Sequence, residues 1–124
     1  MTVKVLVVED NPANMKLAKL LLDKAGHTVL QTGNATDAIA MAREHVPDLI
    51  LMDIQLPGMD GLTATTLLKQ DPVTRNCKII ALTAFAMKGD EEKMIAAGCD
   101  GYIAKPFSYK DFLAAVEAAL SASK

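Results

Sequence analysis

Short apolar runs and amphipathic stretches alternate along the whole chain. Residues 3–8 end in the run Val5-Leu6-Val7-Val8, and residues 49–52 are the uninterrupted Leu-Ile-Leu-Met. Runs of this kind read as strands buried on both faces. Residues 78–83 form a fourth strand in chain order, and the short segment 101–104 a fifth. The second strand, residues 28–32, mixes polar and apolar positions as an edge strand does. Between the strands lie helical patterns with legible ends. Asn11-Pro12 supplies an N-cap and a proline at the first helical position. Leu17, Leu20 and Leu21 give that helix its expected buried stripe, and Gly26 stops it. Asn34 with Asp37 opens a second helix, carrying Ala38, Ile39 and Ala42 and closed by Pro47. A third helix is predicted over about 62–69. A polar fourth one over 88–97 ends at Gly98, and a fifth is capped by Ser108 with Asp111 and faces inward through Phe112, Leu113, Val116 and Leu120.

Five strands alternating with five helices predict an α/β fold, a doubly wound parallel sheet with right-handed crossovers and helices on both faces. Placing the more polar second strand and the short fifth at the edges gives the order 2-1-3-4-5. That order sets the ends of the first and third strands side by side at the switch point, where such sheets place their working chemistry. With 124 residues the chain is expected to be one domain, residues 1–124, with no output domain.

The net charge of −2, without a Lys/Arg-rich run, argues against a nucleic-acid partner. Apolar stretches of four to six residues are too short to span a bilayer, and the first residues lack a secretory signal. A cytoplasmic, monomeric protein is the default expectation. Cys77 and Cys99 are too far apart for a Cys-x-x-Cys motif and read as reduced, half-buried thiols. Residues 121–124 look frayed. Met1 and the short tail favour a free-standing protein over a piece of a longer one.

Chemistry concentrates where the strands end. Glu9 and Asp10 follow the first strand, Asp53 ends the third, Thr83 the fourth, and Lys105 follows the fifth. Three carboxylates within about 5 Å repel one another by roughly 3 kcal/mol per pair at an effective dielectric near 20. Such a cluster must share protons or hold a cation. Oxygen ligands without His or Cys select a hard ion, Mg²⁺ before Ca²⁺, with the Gln55 backbone carbonyl expected to complete the protein's share. The competing reading of Glu9-Asp10 is a solvated turn capping the next helix, a role Asn11 already fills. Asp53 could then attack phosphorus to give an aspartyl phosphate, with Mg²⁺ on one side and the Lys105 ammonium on the other. Lys105-Pro106 in a tight loop is a candidate for the cis form. Thr83 either donates its hydroxyl to a phosphate oxygen or simply ends a strand. Tyr102, one position before Ile103 on the fifth strand, can by alternation face a side rather than the core, as a half-buried edge-strand aromatic does.

Four runs together resemble the receiver domain of two-component response regulators, from Val3 to about Leu120: Val7-Val8-Glu9-Asp10-Asn11, the stretch from Leu51 through Asp53 to Gly61, Ala81-Leu82-Thr83-Ala84, and Tyr102-Ile103-Ala104-Lys105-Pro106. The segments Asn11–Leu17 and Ala84–Glu92 are similar to stand-alone cell-division regulators of the DivK type, wording that the receivers of hybrid histidine kinases share. The resemblance implies a phosphorylation-activated switch. Asp53 accepts phosphate from a histidine kinase or phosphotransferase, Glu9 and Asp10 bind Mg²⁺, and Thr83 and Lys105 hold the phosphate. Thr83 and Tyr102 then move together, and a downstream protein reads the face formed by the fourth helix, fifth strand and fifth helix. The alternative is a hybrid-kinase receiver serving as a phosphorelay intermediate. The region around Asn14-Met15-Lys16 is where a kinase helix pair would dock. The apolar loop residues Ala84, Phe85, Ala86 and Met87 are either a core lid or partner contacts.

Rival readings fare worse. A flavodoxin-like flavin or nucleotide binder needs a Gly/Ser/Thr loop where this chain has Glu9-Asp10, and no phosphate-cradling glycine motif occurs. An aspartyl phosphatase needs a second acid at position 55, which is Gln55, so slow self-hydrolysis is expected rather than turnover. A constitutive module that never receives phosphate would have no use for the full set of five site residues.

Overall fold

The computed structural model describes residues 3–84, 88–105 and 108–121. Its elements run β1 (Lys4–Val8), α1 (Pro12–Lys24), β2 (Thr28–Thr32), α2 (Ala35–His45), β3 (Leu49–Asp53), α3 (Gly61–Gln70), β4 (Lys78–Thr83), α4 (Lys88–Ala97), β5 (Gly101–Ala104) and α5 (Tyr109–Ser121). The strands form one parallel sheet in the order β2-β1-β3-β4-β5, as the pattern of polar edges predicted.

Side chains alternate across the sheet, so the inner strands β1, β3 and β4 each feed two cores. Val5, Val7, Leu49, Leu51, Ile80 and Leu82 pack with α1 and α5, where Phe112 and Val116 are buried. Leu6, Val8, Ile50, Met52 and Ile79 pack on the other face with Ala35, Ala38 and Ala42 of α2 and with Ala64 and Leu68 of α3. All five residues of β3 are buried, which is why its sequence is an unbroken apolar run before Asp53.

The helix ends follow local chemistry. Asn11 Oδ1 accepts from the N–H groups of Ala13 and Asn14 at 2.9 and 3.1 Å, and Pro12 occupies the first helical position. Asn34 accepts from the Asp37 N–H at 2.8 Å, and Ser108 Oγ from that of Asp111 at 3.1 Å. Asp60 caps α3 through the Thr63 N–H at 2.8 Å, so the helix begins one residue before the predicted span. Helix α2 ends on Val46, which adopts φ 43° directly before Pro47. A β-branched residue in that left-handed region is strained.

One expectation fails. Leu17 and Leu20 are 39% and 50% exposed, and the face of α1 that meets the sheet is Ala18, Leu21 and Leu22. Six of the eight residues from Met15 to Leu22 are apolar, so spacing alone cannot choose between adjacent faces. The sheet does so, taking the face that carries Ala18, Leu21 and Leu22. The two cysteines are unpaired, Cys77 buried and Cys99 half-buried, and burial pushes both thiols up from their ordinary range. Among the described residues no helix is long and apolar enough to cross a membrane. Helix α4 is fastened differently from the others. Met94 is its one buried side chain among the described residues, and Ile95 is 65% exposed.

Candidate functional site at the carboxyl ends of the strands

The register of the sheet builds the site. Val8 pairs with Met52, so one step further Glu9 leaves β1 beside Asp53. Asp53 pairs with Leu82 and Leu82 with Ile103, which brings Lys105, two residues on, to the same corner. By period-2 alternation Glu9, Asp53 and Lys105 share the side of the sheet that carries Val5, Val7, Leu49 and Leu51. Their side chains therefore converge.

Glu9 and Asp53 are buried at 3% exposure each, whereas Asp10 is exposed. One carboxylate oxygen from each of Glu9, Asp10 and Asp53 lies within 4.8 Å of the others. Lys105 Nζ stands 2.6 Å from Glu9 Oε1 and 3.1 Å from Asp53 Oδ2. The first contact is an ion pair without hydrogen-bond alignment, since Glu9 Oε1 has no hydrogen-bond partner among the described residues. The second is a hydrogen bond donated by the ammonium. Backbone N–H groups orient the acids further, Asn11 donating to Glu9 Oε2 at 3.2 Å and Gln55 to Asp53 Oδ1 at 2.9 Å.

Burial raises the Glu9 carboxyl above its ordinary range, and the facing Asp53 adds to the rise against the pull of Lys105 and the Asn11 N–H. For Lys105, burial works to lower the ammonium's pKa, but Glu9 and Asp53 together outweigh it and leave the group raised. The acids thus bring more negative charge into a buried corner than one ammonium neutralises. A proton on Glu9 or a further cation would relieve that excess, and one oxygen from each of three carboxylates is a set that could hold a hard divalent ion.

Of the remaining predicted residues, Thr83 and Gln55 lie beside this corner and Tyr102 lies away from it. Thr83 is fully buried at the end of β4, one residue past the partner of Asp53, and its carbonyl accepts from the Lys105 N–H at 2.7 Å. Gln55 is exposed in the loop beside the acids. Tyr102 is 38% exposed on β5, on the opposite side of the strand from the buried Ile103. It stands between a cavity of about 270 Å³ against α5 and one of about 180 Å³ against α4. Pro106 and Phe85–Met87, on which the cis-peptide and loop expectations fall, lie outside the described residues.

Two neighbours of Asp53 carried no role in the sequence reading. Gly61 opens α3 against the backbone of Asp53 and Ile54, and the buried Thr65 donates its hydroxyl to the Gly61 carbonyl at 2.8 Å. The Asp-Gly pair before a helix was the available signal, but it reads only as a cap.

The response regulator receiver domain profile matches residues 5–117. The chain is similar to polar-differentiation response regulator DivK of Brucella abortus (strain 2308), 48% identical over 120 residues covering 97% of this chain and 98% of the relative. The Brucella anthropi protein of the same name is 49% identical over 94% of both. Among solved structures, a response regulator from Chloroflexus aurantiacus superposes with a TM-score of 0.93 at 28% identity, covering 98% of this chain and 99% of that one. The receiver domain of a sensor histidine kinase from Pseudomonas aeruginosa, solved with a magnesium ion coordinated in its active-site cleft, gives 0.90 at 34% identity over 98% and 99%. Profile, relatives and solved structures each span nearly the whole chain, and with the strand order and the acidic corner they place it in the response regulator receiver domain family.

Proposed function

We propose that this receiver domain is a phosphorylation-driven signalling switch in which Asp53 is the phosphoacceptor. An Asp53 carboxylate oxygen attacks the phosphorus of a phosphohistidine on a kinase or phosphotransferase. The P–O bond forms as the P–N bond breaks, and the histidine leaves to take up a proton. The observation that carries this reading is the convergence of Glu9, Asp10 and Asp53 within 4.8 Å, with Lys105 Nζ 3.1 Å from Asp53.

Glu9, Asp10, Asp53 and the Gln55 carbonyl are the residues that would hold Mg²⁺, which when bound supplies charge neutralisation for the incoming phosphoryl group. The chain's own residues do the positioning. The Gln55 N–H holds Asp53 Oδ1, Lys105 offers its ammonium to the transferred oxygens, and Thr83 donates a hydroxyl to one of them. A phosphoryl group adds about −1.5 to −2 charges at a place already rich in acid, so the energetic demand on Lys105 and Thr83 rises on phosphorylation. As Thr83 moves, Tyr102 can exchange its half-exposed position for the space that Thr83 leaves. A downstream protein reads the resulting α4–β5–α5 surface.

We assign no general acid or base for hydrolysis, so at most slow autodephosphorylation is expected. The working picture is a cytoplasmic monomer of one domain. Similarity to a sensor-kinase receiver also supports the relay reading, in which phosphate passes on to a second histidine.

Incubation with Mg²⁺ and acetyl phosphate tests the assignment. The expected product is a single phosphoryl adduct by intact mass, labile in base and missing in Asp53→Asn. An unmodified wild-type protein, or an adduct that persists in the variant, would overturn it.

A further inference from the structure

We propose that Gly61 is a positioning residue for the phosphoacceptor, and that the first turn of α3, locked by Thr65, sets the aim of the Asp53 carboxylate. The inference rests on the reading of Asp53 given above. Gly61 is not among the residues with positive φ, so its backbone conformation suits an ordinary side chain. Space is what forbids one. A Cβ at this position would overlap the Asp53 carbonyl oxygen and stand 2.7 Å from Ile54 Cα and 2.9 Å from the Asp53 carbonyl carbon. These are backbone atoms, and no rotamer change can move them aside. A glycine at a close backbone approach is the expected solution.

The peptide joining Asp53 to Ile54 is consequently gripped from two sides. On one, the Ile54 N–H donates to the Leu82 carbonyl of β4 at 3.2 Å. On the other, the helix turn packs directly on the Asp53 carbonyl, and the Gly61 N–H donates to the carbonyl of the next peptide, that of Ile54, at 3.3 Å. That turn is itself fixed. Asp60 caps it through Thr63, and the fully buried Thr65 hydroxyl holds the Gly61 carbonyl at 2.8 Å. Asp53's carboxylate hangs from this peptide on one side, and the Gln55 N–H that orients it follows on the other. Any rotation that makes room for a methyl group turns both.

The test compares Gly61→Ala, Thr65→Val and Thr74→Val for stability in urea, Mg²⁺ affinity by calorimetry, and phosphoryl uptake from acetyl phosphate at saturating Mg²⁺. Thr74 is the matched control, since its buried hydroxyl holds the Leu68 carbonyl at 2.7 Å, remote from Asp53. Gly61→Ala is expected to slow uptake by about 10²-fold, the scale of an ångström-sized misplacement. Thr65→Val should slow it by roughly threefold to tenfold, the worth of one net hydrogen bond. Thr74→Val should lower stability and leave uptake at the wild-type rate. Should Gly61→Ala fail to fold, Thr65→Val decides. Wild-type uptake and Mg²⁺ affinity in a folded Gly61→Ala or in Thr65→Val overturns the proposal, as does equal slowing by Thr74→Val. A wild-type protein that takes up no phosphate instead overturns the assignment of Asp53, a result distinct from these.

Discussion

Replacing Lys105 by methionine keeps most of the side chain's bulk and deletes the one cation among the described residues that pairs with the two buried carboxylates. At the observed 2.6 and 3.1 Å, the Coulomb attractions are about 6 and 5 kcal/mol at an effective dielectric near 20. Desolvation of the ammonium and the ordering of its long stem oppose them, and removing one partner from a buried pair typically costs about 3–5 kcal/mol. Glu9 limits the damage, because its carboxyl is already raised and can take up a proton. Relief by protonation grows by at most about 1.4 kcal/mol for each unit that the pH falls, and wild-type Glu9, itself raised, takes up part of the same relief. The expected loss is thus about 2–4 kcal/mol at pH 7 and about 1–2 kcal/mol at pH 5. The signs are consistent. A raised ammonium contributes in full below its free pKa and fades only in alkali, so between pH 5 and 7 the change comes from Glu9. In wild type, the raised Glu9 costs stability as pH climbs through its folded pKa. Mg²⁺ should narrow the gap between the two proteins by neutralising the same acids. Urea unfolding of both at the two pH values, with and without Mg²⁺, measures all four differences. A gap below about 0.5 kcal/mol at pH 7, the level of an exposed ion pair, would falsify the reasoning, as would a gap that Mg²⁺ widens.

Three further outcomes follow from other parts of the molecule. Mg²⁺ affinity should weaken as pH falls, by up to about tenfold per unit below the Glu9 pKa, because the ion must displace a proton. Calorimetric titration between pH 5 and 8 checks this, and Glu9→Gln should bind more weakly with a flatter pH profile. Val46→Gly should raise the urea midpoint by an amount worth about 0.5–1 kcal/mol, since relief at φ 43° exceeds the added chain entropy, and phosphoryl uptake should not change. A midpoint that falls would refute the strain at Val46. Phe112→Ala should cost about 3–5 kcal/mol, because the ring is fully buried between α5 and the sheet. An unfolding free energy within 1 kcal/mol of wild type would show that the cavity collapses, against the packing described.

Much of this was legible before any coordinates. A strand buried on both faces must be apolar throughout, so Leu49–Met52 announced the centre of the sheet, and the polar positions in Thr28–Thr32 announced its edge. The acids were legible for the same reason, since a charge directly after such a run can only stand at the sheet's mouth. Burial of individual helix residues was less so. In α1 the apolar positions outnumber those one face can hold, and only tertiary packing selects Ala18 and Leu22 over Leu17 and Leu20. The approach of Gly61 to Asp53 was hidden too. It joins residues eight apart through a loop whose path no local propensity fixes. Nor did local pattern reveal that Lys69 at the far end of α3 reaches Asp100 at 3.0 Å and the Cys77 carbonyl at 2.8 Å, tying helix to sheet edge.

Among the described residues helix α4 buries one side chain, the unbranched, adaptable Met94, while its companions bury two to four residues each. Releasing it forfeits only the roughly 1.5–3 kcal/mol that one such side chain gains from burial, a small part of what keeps the domain folded. Its amides should therefore exchange with deuterium through partial openings, well ahead of those in β3, where every residue is enclosed. A segment so lightly moored can shift its angle or register without disturbing the rest, and a binding protein that favours one such posture has little resistance to overcome.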